Sequence, residues 1–132
     1  MARLTNYMAH KIIDHMLRGQ AFTPPSTVYL ALFASPSEED LTAGTLTNEL
    51  SGGAYIRKAV TLSAASGRIT SNTANVDFDI ATLDWSPITH IAISDAVTGG
   101  NLLLWGALPF TLNVDTGQIL NFPVGNIGLE IE

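Results

Sequence analysis

The sequence predicts a mainly β fold, an antiparallel β-sandwich with one N-terminal α-helix, for which a jelly roll is one possible strand order. Two strongly apolar runs, Ile88–Ser94 and residues 102–108, flank the corner Thr98-Gly-Gly-Asn101, which predicts a β-hairpin at the centre of a sheet. Further short apolar or alternating segments bring the total to about eight or nine strands, at the spacing typical of sandwiches and barrels. A helical repeat of apolar residues occurs once, near the N-terminus.

The predicted helix covers residues 5–18. Thr5 can cap its first turn, and Gly19 supplies a C-terminal stop. Its apolar residues form one stripe at helical spacing: Met8, Ala9, Ile12, Ile13, Met16 and Leu17. We expect this stripe to lie either on the sheet or on a neighbouring subunit, and the sequence leaves that choice open.

The remaining strands follow the apolar pattern and the turn residues between them. Besides the hairpin we predict strands over residues 27–33, 55–62, 68–71, 75–80, 110–114, 118–122 and 127–132. In the segment 75–80, Val76, Phe78 and Ile80 should point inward, while Pro109 should separate residues 102–108 from the next strand. Residues 35–53 show little periodicity and are long for a loop, which predicts a binding arm, a partner-ordered loop or a flexible surface loop.

Length and composition predict one domain, residues 1–132, with some apolar surface that is covered by other subunits or partners. Hydrophobic residues make up 46% of the chain and charged residues 14%, below the ~25% usual in soluble domains. No run reaches the ~20 apolar residues of a membrane-spanning helix, and the charged N-terminal segment is no signal peptide. Six scattered basic residues in a chain of net charge −6 argue against nucleic-acid binding.

Candidate catalytic and metal-binding residues do not form a known pattern, so we expect no enzyme, no cofactor and no metal site. The chain has no cysteine. His10 and His15 would point about 140° apart on a helix, and His90 stands alone in an apolar strand. The carboxylates Asp77, Asp79 and Asp84 lack the spacing of a calcium-binding loop and fit the solvent face of a strand better.

The large aromatic residues are the remaining candidates for ligand contact. Trp85, Trp105 and Phe110 could stack on a sugar or a base, but core packing is the more frequent use of such side chains. A pair of carboxylates of the glycosidase type is an open alternative that nothing in the sequence favours.

Several stretches resemble a family of small virion proteins of tailed bacteriophages, often labelled as tail-fibre proteins. They cover most of the chain in a fixed order and are Leu4-Thr-Asn-Tyr7, Ile12-Ile-Asp-His15, Arg18-Gly19, Phe22-Thr-Pro-Pro-Ser-Thr-Val-Tyr-Leu-Ala-Leu-Phe33, Ser51-Gly-Gly-Ala-Tyr55 with Arg57, Ile88-Thr-His-Ile-Ala-Ile93 and Gly99-Gly-Asn-Leu-Leu-Leu-Trp-Gly-Ala-Leu108.

This resemblance implies a structural protein of the virion, assembled in the cytoplasm of the host bacterium and without catalytic activity. A chain of this length lacks a repetitive fibre shaft, so we expect a capsid decoration (cement) protein. It would form a homotrimer on the major capsid protein or on other virion proteins, with Trp105 and Phe110 in the oligomer interface. The alternatives are a tail-fibre or tail-associated protein and a carbohydrate-binding module with Trp85 or Trp105 as its exposed platform.

Overall fold

The computed structural model describes residues 2–131, and strands with antiparallel pairing dominate it. The elements in chain order are β1 (Arg3–Leu4), α1 (Asn6–Arg18), β2 (Val28–Phe33), α2 (Glu38–Ala43), β3 (Lys58–Val60), β4 (Ile69–Ser71), β5 (Val76–Asp77), β6 (Ile88–Ser94), β7 (Leu102–Leu112), β8 (Asn121–Phe122) and β9 (Gly128–Glu130). The predicted mainly β class with one N-terminal helix is confirmed.

A five-stranded sheet in the order β1-β7-β6-β2-β3 forms the centre of the molecule, and two small sheets pair β4 with β9 and β5 with β8. The predicted hairpin supplies β6 and β7. Its turn needs glycine, since Gly99 and Gly100 have φ of 59° and 68°. Asp95 closes the turn by accepting a 2.7 Å hydrogen bond from the Asn101 amide.

Both faces of the five-stranded sheet are covered, because β2 alternates its side chains between two clusters of buried residues. Leu30 and Leu32 face the larger cluster, which the small sheets complete with residues such as Val76, Phe122 and Leu129. The smaller cluster, on the other face, contains Ala31, Phe33, Leu41, Ala92, Leu102 and Trp105. The arrangement is sandwich-like, with α2 covering the second face.

The strand β7 runs through Pro109, so the predicted break at this residue was wrong. Pairing with β6 jumps from His90–Ala107 to Ile88–Leu112, so residues 108–111 form a bulge. In a bulge some residues donate no hydrogen bond to the neighbouring strand. A proline, which has no N–H group to donate, is therefore tolerated there.

Other boundaries also differ from the predictions. The strand predicted over 55–62 shortens to β3, and that over 75–80 shortens to β5. Beyond β5, backbone hydrogen bonds from Phe78 to Leu120 and from Ala81 to Gln118 continue the contact with the chain before β8. Val76 and Phe78 are buried as predicted, but Ile80 is exposed. The alternation fails there because the chain turns, and the Ala81 side chain is the buried one.

The segment 35–53 contains the helix α2, which the sequence analysis missed. Ser37 caps it by accepting a hydrogen bond from the Asp40 amide, and Gly44 ends it with φ of 84°. The three residues of its first turn are all acidic, and the positive end of the helix dipole favours such negatively charged side chains. The helix buries Leu41 against the sheet, so this part of the segment is ordered by its own chain.

The helix α1 ends at Arg18 as the sequence predicts and begins one residue later than predicted, at Asn6, with Thr5 as its cap. Thr5 accepts a 3.2 Å hydrogen bond from the Met8 amide and donates a 2.6 Å bond to the Leu102 carbonyl, which fixes the cap to β7. Gly19 ends the helix with φ of 68°. Tyr7 and Met8 of α1 pack on the larger cluster, but no residue of the helix is fully buried. The face of the helix that contacts the sheet is therefore only partly covered.

We expect Thr5→Val to lower the free energy of unfolding by about 1–2 kcal/mol, because it removes the cap and leaves buried backbone groups without their partner. Urea denaturation followed by circular dichroism measures this change. Thr111→Val is the control, since Thr111 is exposed on the β7 bulge and should change stability by no more than about 0.5 kcal/mol.

Candidate functional site

The three histidines lie apart and in different settings. His10 and His15 are exposed on α1, and His15 Nδ1 lies 2.9 Å from the Gln20 carbonyl oxygen. His90 is half-buried in β6 with Nδ1 2.8 Å from Thr89 Oγ1, and burial lowers the pKa of its imidazole. Among residues 2–131, no three His, Asp or Glu side chains are grouped as metal ligands would be.

The three aspartates singled out in the sequence lie on the surface and each has its own partner. Asp77 accepts a hydrogen bond from Asn121, and Asp79 forms an ion pair of 2.8 Å with Lys58. Asp84 accepts from the backbone N–H and the hydroxyl of Thr116 at 2.8 and 2.9 Å, and these bonds lower the pKa of its carboxyl. Each of these three carboxylates is therefore engaged by a different neighbouring side chain.

Both tryptophans are buried within the single chain. The Trp85 indole donates a 2.8 Å hydrogen bond to the Gly53 carbonyl, and the Trp105 indole donates one of 3.2 Å to Thr42 Oγ1. A carbohydrate-binding module would need one of these rings exposed as a platform, and the structure offers neither.

The two residues predicted for an oligomer interface have different surroundings. Trp105 is 2% exposed and has almost no surface left for another subunit, whereas Phe110 is 68% exposed. The interface itself stays a prediction, and of the two residues only Phe110 can contribute to it directly.

Phe110 stands on the β7 bulge beside a hollow of about 230 Å³. We call this surface the bulge patch, and it is lined by Leu108, Pro109, Phe110, Leu112, Leu120, Asn121, Phe122 and Asn126. Its lining contains no charged residue. A cavity of about 150 Å³ can hold a benzene ring, so this hollow has room for a large apolar side chain of another protein.

A larger hollow of about 320 Å³ lies between residues 47–53 and 83–86. Its two carboxylates, Glu49 and Asp84, are held by Arg57 and Thr116 respectively. The Trp85 side chain on its wall has already donated its N–H group. The two carboxylates and the indole N–H of this hollow are therefore already engaged within the chain.

Beside this hollow lies a buried ion pair that the sequence analysis missed. Arg57 donates two hydrogen bonds of 2.7 Å to the two carboxylate oxygens of Glu49, which raises the pKa of the guanidinium. Tyr55 donates a 2.6 Å bond to the same carboxylate. The pKa of the Tyr55 phenol is raised, mainly by burial and to a smaller extent by this hydrogen bond. The phenol therefore stays neutral and keeps the proton that it donates.

The third nitrogen of Arg57 reaches the hairpin turn between β6 and β7. Its Nη1 donates to Ser94 Oγ at 2.9 Å and to the carbonyls of Ala96 and Gly99 at 2.8 Å each. Because Glu49 belongs to the segment 35–53, Arg57 joins this segment to the central hairpin. The result is a surface whose loops are fixed in one arrangement.

A left-handed turn places Tyr55 and Arg57 for these contacts. Gly52, Gly53 and Ala54 have φ of 77°, 60° and 68°, a conformation that favours glycine. A Cβ atom on Gly53 would lie 2.9 Å from Trp85 Nε1, so the tryptophan fixes the position of the turn. Ala54 adopts the same conformation at a steric cost.

We expect Arg57→Met to lower the free energy of unfolding by about 3–5 kcal/mol, because it leaves the carboxylate of Glu49 buried without its cation. Lys58→Met is the control, since the Lys58–Asp79 pair is exposed and should contribute no more than about 1 kcal/mol. Thermal or urea unfolding measures both. Equal effects of the two substitutions would contradict the structural role assigned to Arg57.

Comparison with known families agrees with the resemblance found in the sequence. Residues 3–130 match the family described as Gp80, Podophage GP4 fiber I protein gp80. No curated protein matches the chain. Neither helix in the described part of the chain has the length and apolar character to cross a membrane. The chain therefore belongs to the podophage GP4 fiber I protein gp80 family, and it is a structural protein of the bacteriophage virion.

Proposed function

We propose that this chain is a non-catalytic docking subunit of the phage fibre apparatus, which works as a homotrimer and attaches to other virion proteins. The observation that carries the proposal is the match of residues 3–130 to a family whose name denotes a fibre protein. The match extends over almost the whole chain, so the fibre role would belong to the β domain as a whole.

The bulge patch supports a docking role. An exposed aromatic side chain beside an uncharged hollow is the kind of surface that becomes a binding hot spot once a partner excludes water from it. Complete burial of such a side chain contributes about 1.5–3 kcal/mol. Phe110 lies within the strand β7, so docking would require little ordering of the backbone.

The absence of catalysis is part of the proposal. The imidazoles of His10, His15 and His90 lie on different elements or faces, and the carboxylates of Glu49 and Asp84 are engaged by other side chains. A general base needs a nucleophile within hydrogen-bond reach and a group that orients the base. The two carboxylates of the larger hollow are instead engaged in hydrogen bonds within the chain.

Capsid decoration is the second candidate, and the compactness of the chain favours it. A fibre subunit normally contributes an elongated shaft, whereas this chain folds around one five-stranded sheet with two small sheets on one face and α2 on the other. A cement protein would act by mass action, binding the mature shell better than its precursor and stabilising it by the difference. Many equivalent contacts on the shell would add up through avidity.

The position of the protein on the particle distinguishes the two candidates. Virions that carry a tagged copy of the chain, imaged by electron microscopy with labelled antibody, should show the label at the fibres near the tail. A label spread over the head would establish the decoration role and overturn the fibre role. Purified virions that lack the chain would overturn both.

We expect Phe110→Ser to reduce incorporation of the chain into virions by at least about tenfold, as loss of an interface hot spot does. The variant should fold and keep its stability within about 0.5 kcal/mol, because Phe110 is exposed in the free chain. Ile69→Ser is the matched control, with an exposed isoleucine on β4 outside the bulge patch. Quantitative blotting of purified particles measures incorporation, and equal losses for the two variants would contradict the role of the patch.

A further inference from the structure

The segment from Ser35 to Asn48 is a loop whose two ends meet, and we call residues 35–48 the strap. The Ala34 N–H donates a 3.0 Å hydrogen bond to the Asn48 carbonyl. The Asn48 side chain donates to the carbonyls of Ala34 and Ser35 at 3.1 and 3.3 Å. The strap contains α2, and its buried residues are Pro36 and Leu41. A segment that buries so few side chains is among the first to open while the rest of a fold stays intact.

The strap covers the smaller cluster of buried side chains. Leu41 packs into this cluster, and the Trp105 indole donates its 3.2 Å hydrogen bond to Thr42 of the same helix. His90 lies on the covered face, because it is paired with Phe33 across the strands β2 and β6. Its ring centre is 6.1 Å from that of Trp105. Opening of the strap would therefore bring water to His90, Phe33 and Trp105.

The first residue of the strap is connected to His90 through Thr89. Ser35 has a φ of 47°, a left-handed conformation that costs energy in residues other than glycine. Its N–H group donates a 2.8 Å hydrogen bond to Thr89 Oγ1, and this oxygen lies 2.8 Å from His90 Nδ1. Because the Thr89 oxygen accepts from Ser35, its own proton can be donated to the ring nitrogen. These bonds hold the strained residue in place.

This chain of hydrogen bonds fits a neutral imidazole. A neutral His90 with its proton on Nε2 has a lone pair on Nδ1, which accepts the Thr89 proton. A protonated ring carries hydrogens on both nitrogens, so Nδ1 would become a donor and the Thr89 proton would lose this acceptor. Uptake of a proton by His90 therefore weakens the arrangement that holds Ser35.

The surroundings of His90 also oppose a positive charge on its ring. The neighbours supplied by β2 and β7, Phe33 and Trp105, carry no charge. Glu38 of α2 favours the charged ring, but burial has the larger effect, and the pKa of His90 is lowered. Arg3 of β1 lies 3.9 Å from Glu38 and 5.4 Å from the centre of the Trp105 ring, so its charge offsets that of Glu38.

We propose that the strap is an acid-sensitive cover of the sheet, closed while His90 is neutral and opened when His90 takes up a proton. In the open strap His90 would regain the ordinary histidine pKa of about 6.5, above its pKa in the closed strap. As the pH falls below about 6.5, the open form therefore binds more protons than the closed form and gains in population. This inference goes beyond the proposed function, since neither a fibre role nor a decoration role requires it.

Native-state hydrogen exchange of the purified full chain tests the proposal. The amides of Leu41, Gly44 and Thr45 report on the strap, because each donates a backbone hydrogen bond within it. After correction for intrinsic exchange rates, we expect their protection to fall at least about fivefold between pH 7.5 and pH 5.0. The amides of Ile93 and Leu104, which are paired in the hairpin, should stay within about twofold. Equal loss in both regions, or no loss in the strap, would overturn the proposal.

His90→Asn is the diagnostic variant, because its side-chain oxygen can accept the Thr89 proton and does not titrate in this pH range. We expect its strap to keep the same protection at both pH values, within about twofold. His15→Asn is the matched control, which changes an exposed histidine of α1 and should keep the full acid response. A response that persists in His90→Asn, or that disappears in Glu38→Gln, would assign the titration to a carboxylate and overturn the role of His90.

A measurement on the unaltered chain does not depend on how the variants fold. Nitrogen NMR of the imidazole rings distinguishes the two neutral tautomers, and we expect neutral His90 to carry its proton on Nε2. A proton on Nδ1 of the neutral ring would overturn the hydrogen-bond chain on which the proposal rests. The position of the chain on the virion has no bearing on these outcomes, so the inference and the proposed function can fail separately.

Discussion

The guanidinium of Arg57 is buried, and a buried cation is compatible with a stable fold only when its N–H groups find acceptors. In this chain the acceptors come from Glu49 and from the hairpin turn at Ser94, Ala96 and Gly99. The segment 35–53 and the turn must therefore both be in place before the cation is satisfied. This requirement couples the order of the loops at one end of the sheet to the order of the sheet itself.

The fold could be predicted from sequence where the signal is local. The hairpin of β6 and β7 follows from two apolar runs around Gly99 and Gly100, and α1 follows from its cap at Thr5 and its apolar repeat. The helix α2 was missed because it has six residues and buries a single one, Leu41, too few to give a periodic pattern. Its signal was Ser37 followed by three acidic residues, the composition of a first helical turn.

The candidate surfaces could be predicted less well, because they depend on contacts between distant residues. Arg57 contacts Ser94 and Gly99, which lie 37 and 42 residues away along the chain, and no short sequence pattern predicts such contacts. Pro109 indicates a break in any strand, and only the register of β7 against β6 shows a bulge instead. The apolar stripe of α1 is visible in the sequence, but how much of it the sheet would cover is decided by where Thr5 fixes the helix.

The outermost strands of the central sheet, β1 and β3, contain two and three residues. Strands this short offer few free backbone N–H and C=O groups to a neighbouring molecule. Two copies of this chain brought side by side would therefore be poorly able to continue one another's central sheet into an open-ended polymer. Any contact between copies would be left to side-chain surfaces, which can limit the number of copies that join.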